Sequence, residues 1–367
     1  MGGVLLQGCS SPEKPTTPQT PATPPAASAP KSTPTVFMRP KSRWLLAQWS
    51  DLPGFNSDNF NEAWVAWRQN CARNLPSTQR LCGDVARLDG QASAVQKSWV
   101  MENFQPYRVE QLNAAAPASG LLTAYYEPVF EASRTSRPGF EVPLYGVPAN
   151  LKTRTPWYSR EEISKLTAAQ AALKGKEIAF IASPVDAMVL HIQGSGRLWL
   201  TQSDGRRTQI RLAFAGTNEH PYQSVGRWLL DQNLTKDATW PGIKAWLAQN
   251  PRRTNELMWR NPRFIFFKEE ALEGAQALLG PKGAMGVPLT PGRSIAVDPG
   301  SIPYGSAVWL SSSGPQTTLN RLVFAQDTGS AIQGAVRADF FTGSGESAGE
   351  LAGRLKQDMN AWVLLPR

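Results

Sequence analysis

The chain has 367 residues, with 38 Lys and Arg against 29 Asp and Glu, a net charge of +9, two His and three Cys. That length buries one large core or two modest ones, which excludes small disulfide- or metal-stapled scaffolds, and so few His and Cys cannot build a zinc cluster. No apolar run approaches the roughly 20 residues of a membrane-spanning helix, and the diffuse positive charge forms no concentrated face for nucleic acid.

In chain order, Val4-Leu5-Leu6-Gln7-Gly8-Cys9 resembles the end of a bacterial lipoprotein signal peptide, with Cys9 as the residue to be lipidated. The other reading is a cytosolic segment in which the match is incidental. Residues 10–39 are mainly Pro, Thr, Ala and Ser, a composition that cannot bury enough apolar surface to offset chain entropy, so they read as a disordered tether. From Trp44 to Leu88 the pattern is helical. Phe60, Trp64 and Trp67 are spaced on one face, with Asn56 to Asp58 as capping residues. Cys71 and Cys82 flank Pro76; in an exported protein they pair, and in a cytosolic one they are buried thiols.

Between Leu121 and Phe214, the runs LLTAYYEPVF, AMVLHIQGSGRLWL and TQIRLAFAG predict short strands, interrupted by one helix from Ser159 to Leu173 with a capping pattern at its start. Helices are expected at Ser224–Gln232 and Pro241–Ala248, then strands from Ser294 to Asp339 and an amphipathic helix over Glu346–Met359. Helix, sheet, helix and sheet again suggest a β domain inserted in a larger one.

Three aspartates close apolar runs in the last portion: Asp298 in V-D-P-G, Asp327 in Q-D-T-G and Asp339 in A-D-F-F. An Asp at a strand end is often only a turn cap. Asp339, followed by two Phe, is instead expected against an apolar wall, where burial raises a carboxyl pKa and keeps a proton available. Asp327-Thr328-Gly329 also spells the aspartic-protease signature, but that chemistry needs a second carboxylate close enough to share a proton, and no second D-T-G is present. Gln193-Gly194-Ser195-Gly196 lacks the third glycine of a dinucleotide loop and reads as a turn presenting polar groups to a ligand. Tyr125-Tyr126-Glu127 and Asn218-Glu219-His220-Pro221-Tyr222 have the rings and amides of a carbohydrate cleft, with Glu127 open as either a catalytic carboxylate or a turn residue.

Together, TAYYEP, HIQGSGRLWL, FAGTNEHPYQSVGR, NPRFIFFK, SIAVDPGSIPYG, AQDTGSAIQGAVRADFFTGSG and the closing WVLLP resemble the MltA family of membrane-bound lytic murein transglycosylases. The resemblance implies an α+β, mainly β protein. Its main domain, residues 40–122 and 224–367, would be a double-psi β-barrel with helices, and residues 123–223 an inserted smaller β-barrel. It implies a lyase that cleaves the β-1,4 bond between N-acetylmuramic acid and N-acetylglucosamine to leave a 1,6-anhydro end, without metal or cofactor. Asp339 would be the acid, with Asp327 and Asp298 the other two aspartates. Glycan contacts would fall on Thr123, Tyr125, Tyr126, Gln193, Gly194, Ser195, Asn218, His220 and Tyr222. Partners would be peptidoglycan strands, a membrane through a lipid on Cys9, and peptidoglycan synthases or scaffold proteins, at the periplasmic face of a Gram-negative outer membrane. A helix beginning after Gly345 would point its N-terminus at developing negative charge. The competing readings are an aspartic-type protease and a non-catalytic wall-binding lipoprotein.

Overall fold

The computed structural model describes residues 1–2, 35–73, 75–76, 79–116, 118–201 and 205–367; Cys9 and residues 10–34 of the expected tether lie outside this set, while Val36–Met38, at its end, form a strand held by Arg43–Leu45 and are not disordered. Strands β1 (Val36–Met38) and β2 (Arg43–Leu46) open the body, followed by helices α1 (Phe60–Cys71), α2 (Cys82–Arg87) and α3 (Ser93–Asn103) and strands β3 (Phe104–Glu110) and β4 (Gly120–Glu127). Next come β5 (Val129–Ala132), β6 (Val142–Tyr145), α4 (Arg160–Lys165), α5 (Thr167–Leu173), β7 (Glu177–Ile181), α6 (Pro184–Gln193), β8 (Gly196–Thr201) and β9 (Arg207–Thr217). Helices α7 (Val225–Asp231), α8 (Trp240–Gln249) and α9 (Thr254–Trp259) lead to β10 (Ile265–Ala271). The chain ends in β11 (Ser294–Val297), β12 (Ala307–Ser313), β13 (Thr318–Asp327), β14 (Arg337–Ser344), α10 (Glu346–Arg354) and β15 (Lys356–Pro366). Among the described residues no helix is long and apolar enough to cross a membrane.

The main sheet runs β1-β2-β3-β15-β12-β13-β11-β14-β4, and β15 also pairs with β4, Lys356 opposite Thr123 and Met359 opposite Gly120. Six strands, β15-β12-β13-β11-β14-β4, therefore return on themselves, with two parallel pairs, β11 with β13 and β14 with β4. Side chains alternate between the two faces along each strand. Val308, Leu310, Val323, Ala325 and Val363 pack on one face with Leu122, Ile295 and Phe340. Their neighbours Trp309, Leu322, Phe324 and Trp362 face the other way, onto Trp64, Trp67 and Trp99 of α1 and α3. Cys71 and Cys82 are joined by a disulfide, Cα to Cα 5.6 Å, which ties the end of α1 to the start of α2.

The second sheet, β10-β9-β8-β5, packs Leu198, Leu200, Leu212 and Phe267 against Leu190 of α6. Three differences from the sequence reading have clear causes. The run Ala187–Ile192 is helical rather than extended: Ser183 caps Asp186 N, Pro184 occupies the first turn, and Gly194 closes the helix at φ 78°. Trp44 lies in β2 instead of a helix, and the cap of α1 is Asn59, accepting from Asn61 N. The helix expected to reach Met359 stops at Arg354, because Lys356–Met359 pair with β4 to close the ring. The inserted body is also larger than residues 123–223. β10 pairs with β9 along its length, and α7 and α9 pack Val225, Leu229 and Leu257 on Val185 and Met188 of α6, while Thr123 to Glu127 belong to the ring.

Candidate active site

A row of residues crosses the ring on the face turned away from the Val323 and Phe340 core. Ala296 of β11 stands opposite Asp339 of β14 on one side and Asp327 of β13 on the other, and Asp339 stands opposite Thr123 of β4. Strict alternation would put Asp327 on the same face as Val323 and Ala325. A bulge at Gln326, where Ile295 pairs with Ala325 but Ala296 with Asp327, re-aims it onto the row. The methyl of Ala296 leaves the space between the two acids open. With strands about 4.8 Å apart, the backbones of the two acids are roughly 10 Å apart with Ala296 between them, and among the described residues no hydrogen bond joins the two carboxyl groups.

Asp339 accepts a short hydrogen bond at Oδ1 from Thr123 Oγ1, and Thr123 Oγ1 accepts from Arg337 Nη2 at 2.8 Å. An arginine only donates, so the single hydroxyl proton of Thr123 is committed to Asp339. Among the described residues Oδ2 has no hydrogen-bond partner, so it is the oxygen open to carry a proton. Burial raises the Asp339 pKa, against the opposing pull of Thr123 and of the Arg337 charge and with a further push from Asp327. Asp327 is raised too, by burial, although Ala284 N–H donates to Oδ1 at 2.8 Å and Tyr125 Oη to Oδ2 at 2.9 Å. The first of these donors is set by Gly283, where a Cβ would lie 2.4 Å from Gln326 O, so only glycine lets this loop approach.

Asp298 stands apart from this pair. It is buried, and its carboxylate takes Lys41 Nζ at 2.8 Å, Gly334 N at 2.9 Å and Gly300 N at 3.0 Å. Burial works to raise its pKa, but Lys41 and the two backbone donors together hold it below the usual carboxylate range. Its setting is a brace between turns.

Asp327 and Asp339 line a cleft of about 650 Å³ together with Tyr125, Gln193, Gly194, Ser195 and Tyr222 from the expected set. Gln193 Oε1 accepts from Tyr126 N at 3.1 Å and so fastens the end of α6 to β4. Asn218 and His220 do not line the cleft. Asn218 is fully buried, donating to Tyr158 O and Pro262 O and accepting from Phe264 N, while His220 Nε2 meets Trp157 O at 2.8 Å; both build the loop that carries Tyr222. Glu127 is neither catalytic nor a simple turn residue: at 0% exposure it is clamped by Arg197 at 2.7 Å, Arg211 at 2.5 Å and Ser344 at 2.7 Å. Nor does α10 aim at the acids. Gly345 N donates to Glu127 O, four residues along β4 from Thr123 and hence about 13 Å away. Sequence reasoning missed Arg337, Arg263, Lys282 and Phe214. Arg337, at the start of β14 two residues before Asp339, was the one with a local signal. Among the described residues no group of three His, Cys, Asp or Glu side chains converges as a metal site.

Residues 121–268 match the model of the MltA specific insert domain, and residues 293–365 that of the 3D domain. Membrane-bound lytic murein transglycosylase A of Escherichia coli K12 is 34% identical over 279 residues, covering 73% of this chain and 68% of the relative. The chain belongs to the MltA family. Its fold matches MltA-family structures: the lytic transglycosylase LtgG of Burkholderia pseudomallei, at 41% identity, a TM-score of 0.63 and coverage of 94% and 100% of the two chains. The E. coli MltA solved with bound chitohexaose is 26% identical with a TM-score of 0.67, covering 91% and 99%. The MltA insert match ends inside β10, in keeping with the larger inserted body described above.

Proposed function

We propose that this MltA-family chain is a peptidoglycan lytic transglycosylase that cleaves the bond between N-acetylmuramic acid and N-acetylglucosamine, with Asp339 as its one proton-transferring group. The observation that carries the reading is the placement of Asp339 on the cleft with a raised pKa, one oxygen held by Thr123 and the other without a partner among the described residues, while both oxygens of Asp327 are engaged by Ala284 N–H and Tyr125 Oη. Hydrolytic glycosidases need two carboxylates, one to protonate the leaving oxygen and one to activate water or attack the ring. Here the attacking group is the substrate's own C6 hydroxyl. It is tethered to the reacting ring, so most of the entropy of bringing in a nucleophile has already been lost. Asp339 protonates the glycosidic oxygen and, as carboxylate, accepts the C6 hydroxyl proton, which closes the 1,6-anhydro ring.

Asp327 lies across Ala296 and supports this cycle by like-charge repulsion, which favours the protonated form of Asp339. Tyr125, Gln193, Gly194, Ser195 and Tyr222 are the glycan-facing residues, whereas Thr123 acts through Asp339. The protease reading is disfavoured because the Asp327 oxygens are engaged by Ala284 N–H and Tyr125 Oη, and no hydrogen bond joins Asp327 to Asp339 among the described residues. The six-strand ring with two parallel pairs is where the double-psi barrel of the family would lie. The relatives are named membrane-bound. Anchoring through a lipid on Cys9, at the periplasmic face of a Gram-negative outer membrane, fits the short apolar run before it and the Pro-rich spacer behind it.

Incubation with purified peptidoglycan, followed by mass analysis of the released fragments, tests the reaction. Anhydro products lie about 18 Da below hydrolytic ones, the mass of the water not added. Hydrolytic masses, or cleaved peptide bonds with intact glycan, would refute it.

A further inference from the structure

One wall of the cleft comes from the inserted body and includes His191, Arg263 and Tyr222. Arg160 lies buried behind it. Its guanidinium donates to Asn261 O at 3.0 Å, Arg263 O at 2.6 Å and His191 Nδ1 at 3.0 Å, and it stacks over Phe264. Among the described residues no carboxylate lies within ion-pair distance of this cation, and desolvation lowers its pKa to about 9. Because an arginine only donates, Nδ1 of His191 is an acceptor and the ring proton sits on Nε2. That Nε2–H has no partner among the described residues, although His191 is only 3% exposed and lines the cleft. Buried donors without a partner are rare and call for an explanation.

Arg263 adds a second unmatched cation. Among the described residues its guanidinium makes one long hydrogen bond, to His220 O at 3.5 Å, and the acid that acts on it, Glu219, forms no ion pair with it. Arg263 on the wall and Arg160 behind it thus carry two positive charges that no carboxylate of the described residues meets in an ion pair. Neutral hydroxyls and acetamides give no reason for such an excess, whereas a carboxylate does.

We infer that this wall is a carboxylate subsite, in which Arg263, underlaid by Arg160 and the buried His191 ring, binds an acid group carried by a muramyl residue; this rests on the peptidoglycan reading above. The carboxylate has two sources, the lactyl group of a peptide-free residue or the acid groups of an attached peptide.

The test is calorimetric binding to the turnover-blocked Asp339→Asn protein of three ligands of matched length: chitohexaose, peptide-free muramyl glycan and peptide-bearing glycan. Both muramyl ligands, or the peptide-bearing one alone, should bind more tightly than chitohexaose, and which of the two patterns appears identifies the source of the carboxylate. Adding Arg263→Ala should weaken the carboxylate-bearing ligand about 10-fold, the usual weight of a charge-assisted hydrogen bond, and leave chitohexaose unchanged. Arg263→Lys should restore part of the loss. An equal loss for all three ligands, or no loss, overturns the subsite. Binding of none of the three by the Asp339→Asn parent overturns the glycan reading, and the subsite with it.

Discussion

Asp339→Asn is the substitution on which the proposed chemistry and the structure make opposite demands. The amide keeps the shape of the carboxyl group, and its oxygen can still accept from Thr123, so the row across the sheet is preserved. What it removes is the proton that Asp339 gives to the leaving oxygen and the base that takes the C6 hydroxyl proton. General acid–base assistance is worth about 10²–10⁴-fold, and with one group serving both steps the loss should lie at the top of that range or beyond, about 5–6 kcal/mol of barrier or more. Stability should move the other way. Burial raises the folded-state pKa of Asp339, so the folded protein holds a proton over a window where the unfolded chain has lost it. Stability linked to that proton is complete below the unfolded carboxyl value. It is lost as pH rises through the raised folded value, at about 1.4 kcal/mol for each pH unit that separates the two. The amide has no charge to desolvate. Thermal melts should therefore coincide near pH 3, roughly below the unfolded value, and the variant should melt higher near neutrality. Turnover is read from fragments released from purified peptidoglycan. A variant that keeps about a tenth of the activity, or a melting gap that narrows with rising pH, would refute the assignment.

Thr123→Val should raise the Asp339 pKa further, since the lost bond favoured the carboxylate; the basic limb of the pH–rate profile moves up by about one pH unit, a change absent if Thr123 only contacts glycan. Glu127→Gln leaves the Arg197 and Arg211 charges buried without a counter-ion and should cost about 3–5 kcal/mol in denaturant unfolding; a cost below about 1 kcal/mol would contradict the clamp. Asp298→Ala should lower stability and activity together. Its depressed pKa makes the stability it contributes present above the unfolded value and lost as pH falls through the folded one, so melts of wild type and variant converge in acid. Replacing Cys71 and Cys82 by Ser opens a loop with a separation of 11 residues and should cost about 3 kcal/mol, which unfolding with and without reductant will measure.

Much of the site was legible because its residues sit in local contexts that betray them. Asp339 before two Phe, and Gln193-Gly194-Ser195 as a polar turn, need no distant partner to be noticed. The roles that stayed hidden depend on partners far along the chain. Asp298 and Lys41 are 257 residues apart, and Glu127 meets arginines 70 and 84 residues on. Asp327 reaches the acid row only through a bulge that exists once β11 and β13 have paired. Helix α6 escaped notice because it is apolar nearly all round, which erases its periodicity, although Ser183-Pro184 and Gly194 marked both of its ends. The expected extension of α10 shows the reverse case, in which helical pattern yields to the strand pairing that closes the ring.

Closure of that ring also governs when the enzyme comes into being. Thr123 and Asp339 are 216 residues apart, and the whole inserted body lies between them. β4 must wait, unpaired on both sides, until β14 and then β15 have been synthesised and the insert has collapsed. Such long-range pairings are the slow ones in folding. During synthesis the chain therefore carries the orienting hydroxyl of Thr123 long before the acid that it holds, and the groove has only one of its walls. A catalyst that cuts a cell wall is thus incomplete until β15 has been made, with topology alone delaying its activity.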